Sequence, residues 1–131
     1  MTERELLDRT KQFALRVFKR VGALPRTIQG KVVAAQLIRS GTSAAANYRA
    51  ACRARSKPEF IAKLGLVEEE ADETLFWLEL LEESQLVGAA KLTAVKQEAN
   101  ELIAITVASI KTARRNRVRN SAFRVPHSEF E

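Results

Sequence analysis

Arg39-Ser40-Gly41-Thr42-Ser43-Ala44-Ala45-Ala46-Asn47-Tyr48-Arg49-Ala50-Ala51-Cys52-Arg53 contains no acidic residue, and small side chains fill it from Ser40 to Ala46. Its apolar positions recur at helical spacing, without strand-like alternation, and that decides the fold class. With its flanks it predicts a helix from about Ile28 to Arg55. At about 100° per residue, Val33, Ala34, Leu37, Ile38, Ala44, Ala45, Tyr48, Ala51 and Cys52 share one side. Gly41 falls on the same side, where it costs about 1 kcal/mol of helix propensity relative to alanine. Two explanations stay open: a neighbouring helix approaches closely there, or Ser40–Gly41 ends one helix and Thr42 or Ser43 caps another.

On a different face of this helix, Lys31, Arg39, Arg49 and Arg53 lie within about 80° of one another if the helix is continuous. They form a basic stripe. Residues 23–55 carry six basic and no acidic side chains, and residues 56–84 carry two basic and nine acidic. The net charge of +6 is therefore unevenly distributed. Such asymmetry points either to contacts between segments or to a basic face for a polyanion.

Working outward, Ser56, Pro58 and Glu59 signal a helix start with a capping box. The helix they begin is expected from about Lys57 to Glu83, and it has two apolar stripes. Phe60, Leu64, Val67, Ala71, Leu75, Leu78 and Leu81 form a heptad-like core face. Ala62, Leu66, Phe76, Trp77 and Leu80 lie opposite. The second stripe reads either as a subunit interface or as the edge of a wide core face. Glu70 and Glu73 border it and need arginine partners if buried; Glu68, Glu69, Asp72, Glu79 and Glu83 read as solvated.

A first helix is expected from about Glu3 to Val21, with Leu6, Leu7, Phe13, Ala14, Val17, Phe18 and Val21 inward. Arg9, Arg16 and Arg20 on its flank are either a solvated edge or a polyanion contact. Gly22, Leu24 and Pro25 break it, and Thr27 caps the next helix. Gln85–Gly88 is a turn. A fourth helix is expected from about Ala89 to Arg117, with Leu92, Val95, Ala99, Leu102, Ile103, Thr106, Val107, Ile110 and Ala113 inward. Past Ala113 the same positions become Arg114 and Arg117, and Lys111, Arg114, Arg115, Arg117 and Arg119 make a dense basic run, more than a helix C-terminal dipole calls for. Four amphipathic helices with short links predict an all-α, antiparallel up-down-up-down four-helix bundle. Residues 1–117 form its single domain, and 118–131 a basic, disordered tail.

No catalytic constellation is evident, so a non-enzyme without cofactor is expected. A carboxylate-bridged metal pair needs Glu-x-x-His motifs, which are absent, and the only histidine, His127, lies in the tail. Cys52, the only cysteine, excludes an internal disulfide and reads as a small core residue, although Arg49 and Arg53 nearby would lower its pKa. The charged N-terminus lacks the apolar centre of a signal peptide, and no apolar run approaches a membrane span. A cytoplasmic protein without membrane contact is expected.

Two blocks carry a family resemblance. The first, Gln36 to Arg55, holds Gln-Leu-x-Arg-Ser-Gly-Thr-Ser and Ala-Asn-Tyr-Arg-x-Ala. The second, Ser56 to Leu81, holds Phe-Ile-x-Lys-Leu and Glu-Ala-x-Glu-Thr-Leu-x-Trp-Leu-Glu-Leu. The chain thereby resembles the four helix bundle family that includes the 23S rRNA intervening-sequence proteins, more weakly over about residues 5–113. It departs from the family at Phe76, where a tyrosine is frequent, and at Ala45 and Ala50, where many relatives carry Gly and Glu. The resemblance implies a non-enzymatic bundle assembling as a ring-like homopentamer with a basic surface. A similar group, the accessory variability proteins of diversity-generating retroelements, binds a reverse transcriptase and nucleic acid.

The expected function is therefore binding of RNA or DNA through the phosphate backbone, with Lys31, Arg49, Arg53, Lys111, Arg114, Arg115, Arg117 and Arg119 as contacts. Few aromatics accompany them, which argues against base stacking. Arg39 is ambiguous between ligand binding and an ion pair with Glu70 or Glu73. Trp77 belongs with that cluster at the expected subunit interface. The alternative is a protein-interaction scaffold whose basic surface meets an acidic partner, such as a polymerase.

Overall fold

The structure, a computed structural model, describes residues 1–116. The expected tail of residues 118–131, with Arg119, and Arg117 just before it lie outside the described residues. Four helices follow in order: α1 Glu3–Gly22, α2 Ile28–Cys52, α3 Lys57–Glu83 and α4 Ala89–Asn116. Among the described residues there is no strand.

Local chemistry sets the boundaries. Thr2 starts α1 with a reciprocal capping box. Its hydroxyl accepts the Glu5 N–H at 3.0 Å, and the Glu5 carboxylate accepts the Thr2 N–H at 3.4 Å. Thr27 caps α2 by accepting the Gly30 N–H at 3.0 Å. A β-carbon at Gly30 would collide with the Pro25 carbonyl, so the α1–α2 link depends on that glycine. Helix α2 stops at Cys52, three residues earlier than expected, and Arg53 to Arg55 form the link to α3. Ser56 accepts the Glu59 N–H at 3.2 Å. The expected capping box is modified, because Glu59 reaches back to the Arg55 N–H at 3.0 Å instead of that of Ser56.

Helix α3 ends without glycine. Gln85 takes a left-handed φ of 64°. Its N–H donates to Glu82 and that of Leu86 to Leu81, a Schellman closure. Holding a non-glycine residue there costs about 1–2 kcal/mol. Leu86, packed against the core, offsets part of it.

Each helix packs on its neighbour in sequence, and α1 meets α4 along a much thinner seam. The core takes Leu6, Phe13 and Val17 from α1, and Leu37, Ala44 and Tyr48 from α2. It takes Leu64, Ala71 and Leu78 from α3, and Leu92, Ala99 and Leu102 from α4. Burying each leucine stabilises the fold by about 1.5–3 kcal/mol.

Helix α2 runs unbroken through Gly41, so the alternative of a helix end there is excluded. A β-carbon at Gly41 would stand 3.2 Å from both methyls of Val17 and 3.3 Å from its β-carbon, so α1 approaches α2 closely at this point. One residue earlier the buried Ser40 and Thr74 hydroxyls hydrogen-bond at 2.8 Å, which ties α2 to α3. Phe18 and Ile38, expected inward, are 50% and 40% exposed. Both sit at the margin of their stripes.

Candidate functional site

Basic side chains occupy three separate settings. The first is neutralised internally. Arg39 donates from Nη1 to Glu70 Oε2 at 3.0 Å and from Nη2 to Glu73, and its Nε donates to Gln36 Oε1 at 3.3 Å. Glu73 also accepts from Trp77 Nε1 at 3.2 Å. The Arg39 hydrogen bond, followed by that of Trp77, holds the Glu73 carboxyl below its ordinary range. The same contact with Glu73 raises Arg39. Arg39 is thus an ion-pair residue within one chain, and it interrupts the stripe expected along α2.

Around this cluster lies the second apolar stripe of α3. Leu66, Phe76 and Leu80 are exposed, together with Val32 of α2. Trp77 is half-buried, and its ring meets that of Phe76 edge-on with centroids 5.0 Å apart.

Arg9 belongs to the same internally neutralised class, which its sequence position does not announce. Its Nε donates to Glu98 Oε2 at 3.0 Å and its Nη2 to Glu98 Oε1 at 2.5 Å. A further bond runs to Glu101 at 3.2 Å. This bidentate pairing closes the α1/α4 seam.

The second setting is a groove of about 510 Å³ between α1 and α2. Arg49 and Arg53 line it from α2, and Arg4 and Lys11 from α1. All four are exposed and form no ion pair among the described residues. Glu3 and Asp8 also line the groove. Sequence reading found Arg49 and Arg53 and missed Arg4 and Lys11. The two α1 cations lie seven residues apart on one face, but only the α1/α2 register places them opposite Arg49 and Arg53. Lys31 does not join the groove. It lies 22 residues before Arg53, about 33 Å along a straight helix.

The third setting is a groove of about 300 Å³ where Lys111 and Arg114 of α4 meet Glu68 and Glu69 of α3. Carboxylates expected to be merely solvated therefore face cations expected to bind phosphate. Arg115 is exposed outside that groove.

Cys52 is buried, and burial pushes its thiol up to about 12 despite a small opposing effect of Arg53. Desolvation outweighs the nearby cations that would lower it. The Tyr48 phenol is likewise raised by burial. Among the described residues, no group of three or more His, Cys, Asp and Glu is placed to hold a metal ion. No helix among them is long and apolar enough to cross a membrane.

The family model described as 23S rRNA-intervening sequence protein matches residues 2–108. Among solved structures, the chain is similar to a protein of unknown function from the S23 ribosomal protein family of Bacteroides thetaiotaomicron VPI-5482. The two share 30% identity with a TM-score of 0.76, over 85% of this chain and 99% of that one. No curated protein matches.

Proposed function

Since the chain belongs to the 23S rRNA-intervening sequence protein family, we propose that it is a non-enzymatic, ring-forming bundle that binds nucleic acid through backbone phosphates. One observation carries this reading. Of the six cations between residues 23 and 55, only Arg39 has a carboxylate partner among the described residues. The remainder lie on or beside a helix with no acid of its own, so their field reaches solvent. Such a surface attracts phosphates with little sequence choice and strong salt dependence.

Self-assembly is supported by the second stripe of α3. Exposed Leu66, Phe76 and Leu80 beside a satisfied Arg39–Glu70–Glu73 cluster resemble the apolar core and paired polar groups of a subunit interface. The short links of four or five residues between helices support an up-down-up-down order.

Binding of the full chain to mixed-sequence RNA and DNA between about 50 and 200 mM salt tests the reading. Affinity is expected to fall steeply across that range, and no detectable binding at the lowest salt would refute it. Trp77→Ala is expected to shift the oligomer toward smaller species in light scattering. A wild-type monomer would refute the assembly claim.

A further inference from the structure

We propose that the groove between α1 and α2 is where the strand sits: Arg4, Lys11, Arg49 and Arg53 clasp consecutive phosphates of a nucleic-acid backbone. This rests on the nucleic-acid reading above and narrows it to one site.

The shape is the first argument. The cations face one another across a concavity of about 510 Å³ between two helices. A cleft lined by one sign of charge concentrates its field more than a convex stripe does. Ala45 and Ala46 on the α2 side keep the cleft open, because larger side chains there would fill it.

Availability is the second. Among the described residues these four cations have no carboxylate to leave before a phosphate arrives. The groove's two acids do not cancel them, since four positive charges stand against Glu3 and Asp8. The α4 groove is evenly balanced, with Lys111 and Arg114 against Glu68 and Glu69.

Length selects the ligand. Arg4 and Lys11 are about 10 Å apart along α1, and Arg49 and Arg53 about 6 Å along α2. That spread exceeds one phosphate group, so the matching ligand is a chain of linked phosphates and not a single one. Among the described residues no aromatic side chain lines the groove, so bases find nothing there to stack on and the backbone is what it can read.

The test compares three double variants of the full chain by fluorescence anisotropy with a labelled mixed-sequence RNA strand. They are Arg4→Gln with Lys11→Gln, Arg49→Gln with Arg53→Gln, and Lys111→Gln with Arg114→Gln. Each groove pair is expected to weaken binding about tenfold or more at low salt. Each is also expected to make the log–log salt slope shallower by about 1.4, for two contacts at about 0.7 each on a single strand. The α4 pair is expected to leave both quantities near wild type. Thermal melting reports folding, and if a pair proves unfolded the single variant Arg49→Gln carries the same test at half the slope change. If the wild type binds and the groove variants bind equally well, the groove is refuted while the general reading stands. Equal losses from all three pairs also refute it, in favour of diffuse charge. If the wild type binds nothing at low salt, the general reading falls and the groove with it.

Discussion

Gly41→Ala isolates the packing role of the acid-free stretch. Alanine gains about 1 kcal/mol of helix propensity over glycine. Against that, the new β-carbon meets Val17 at 3.2–3.3 Å, inside the optimum of about 3.5–4.0 Å for carbon pairs. Rotating Val17 moves its methyls but not its β-carbon, and the side chain is fully buried. Relief requires α1 to move off α2 by a few tenths of an ångström. Overpacking of that kind costs about 1–3 kcal/mol, which leaves a net destabilisation of about 0–2 kcal/mol. Gly65→Ala is the control. Nothing lies within 4 Å of a β-carbon at Gly65, so only the propensity gain remains. Propensity cancels between the two variants, and the difference of about 1–3 kcal/mol measures the helix contact alone. At about 3–5 °C per kcal/mol for a domain of this size, Gly41→Ala should melt clearly below Gly65→Ala. Thermal and urea unfolding followed by circular dichroism give the comparison. Equal melting temperatures, or Gly41→Ala the higher, would show that α1 and α2 are not in close contact there.

Arg39→Gln removes the group that holds Glu73 below its ordinary value of 4.5. A depressed carboxylate stabilises the fold above its unfolded pKa and loses that contribution as pH falls through the folded value. The variant should therefore be less stable than wild type near pH 7, by on the order of 0.5 kcal/mol after solvent screening. The gap should narrow below about pH 4.5; urea midpoints that keep the same gap at both ends of this range would contradict the ion-pair account. Cys52, with its thiol pushed up to about 12 inside the core, should resist a disulfide reagent at about pH 8 in the folded protein and react promptly in concentrated guanidinium. Equal rates in the two conditions would place the thiol at the surface.

How much of this was legible depended on how far apart the interacting residues lie in sequence. Helix α3 was bounded at Lys57 and Glu83 because Ser56, Pro58 and Glu59 state its start locally. The choice between packing and helix end at Gly41 needed the position of Val17, which no local pattern supplies. Arg39 is grouped with Glu70 and Glu73 because two carboxylates bordering an apolar stripe need arginine partners. Arg9 could not be grouped with Glu98 and Glu101, since those partners lie about ninety residues away on a helix whose rotation was unknown. The α1/α2 groove was half-visible for the same reason: one wall belonged to the stripe, and the other appeared only once the two helices had a register. The cationic end of α4 looked uniform in sequence, and Glu68 and Glu69 came opposite part of it through packing alone.

The thin α1/α4 seam bears on motion as well as on shape. Helix α1 rests mainly on α2, and among the described residues its ion pairs to α4 are those of Arg9. A helix gripped on one side opens at lower free energy than its neighbours, so α1 is the unit to detach first, ahead of global unfolding. Amide exchange would then rank α1 as the least protected helix of the four. A ligand lodged between α1 and α2 would fasten that labile unit to the remainder, and its occupancy would be recorded as slowed exchange in α1.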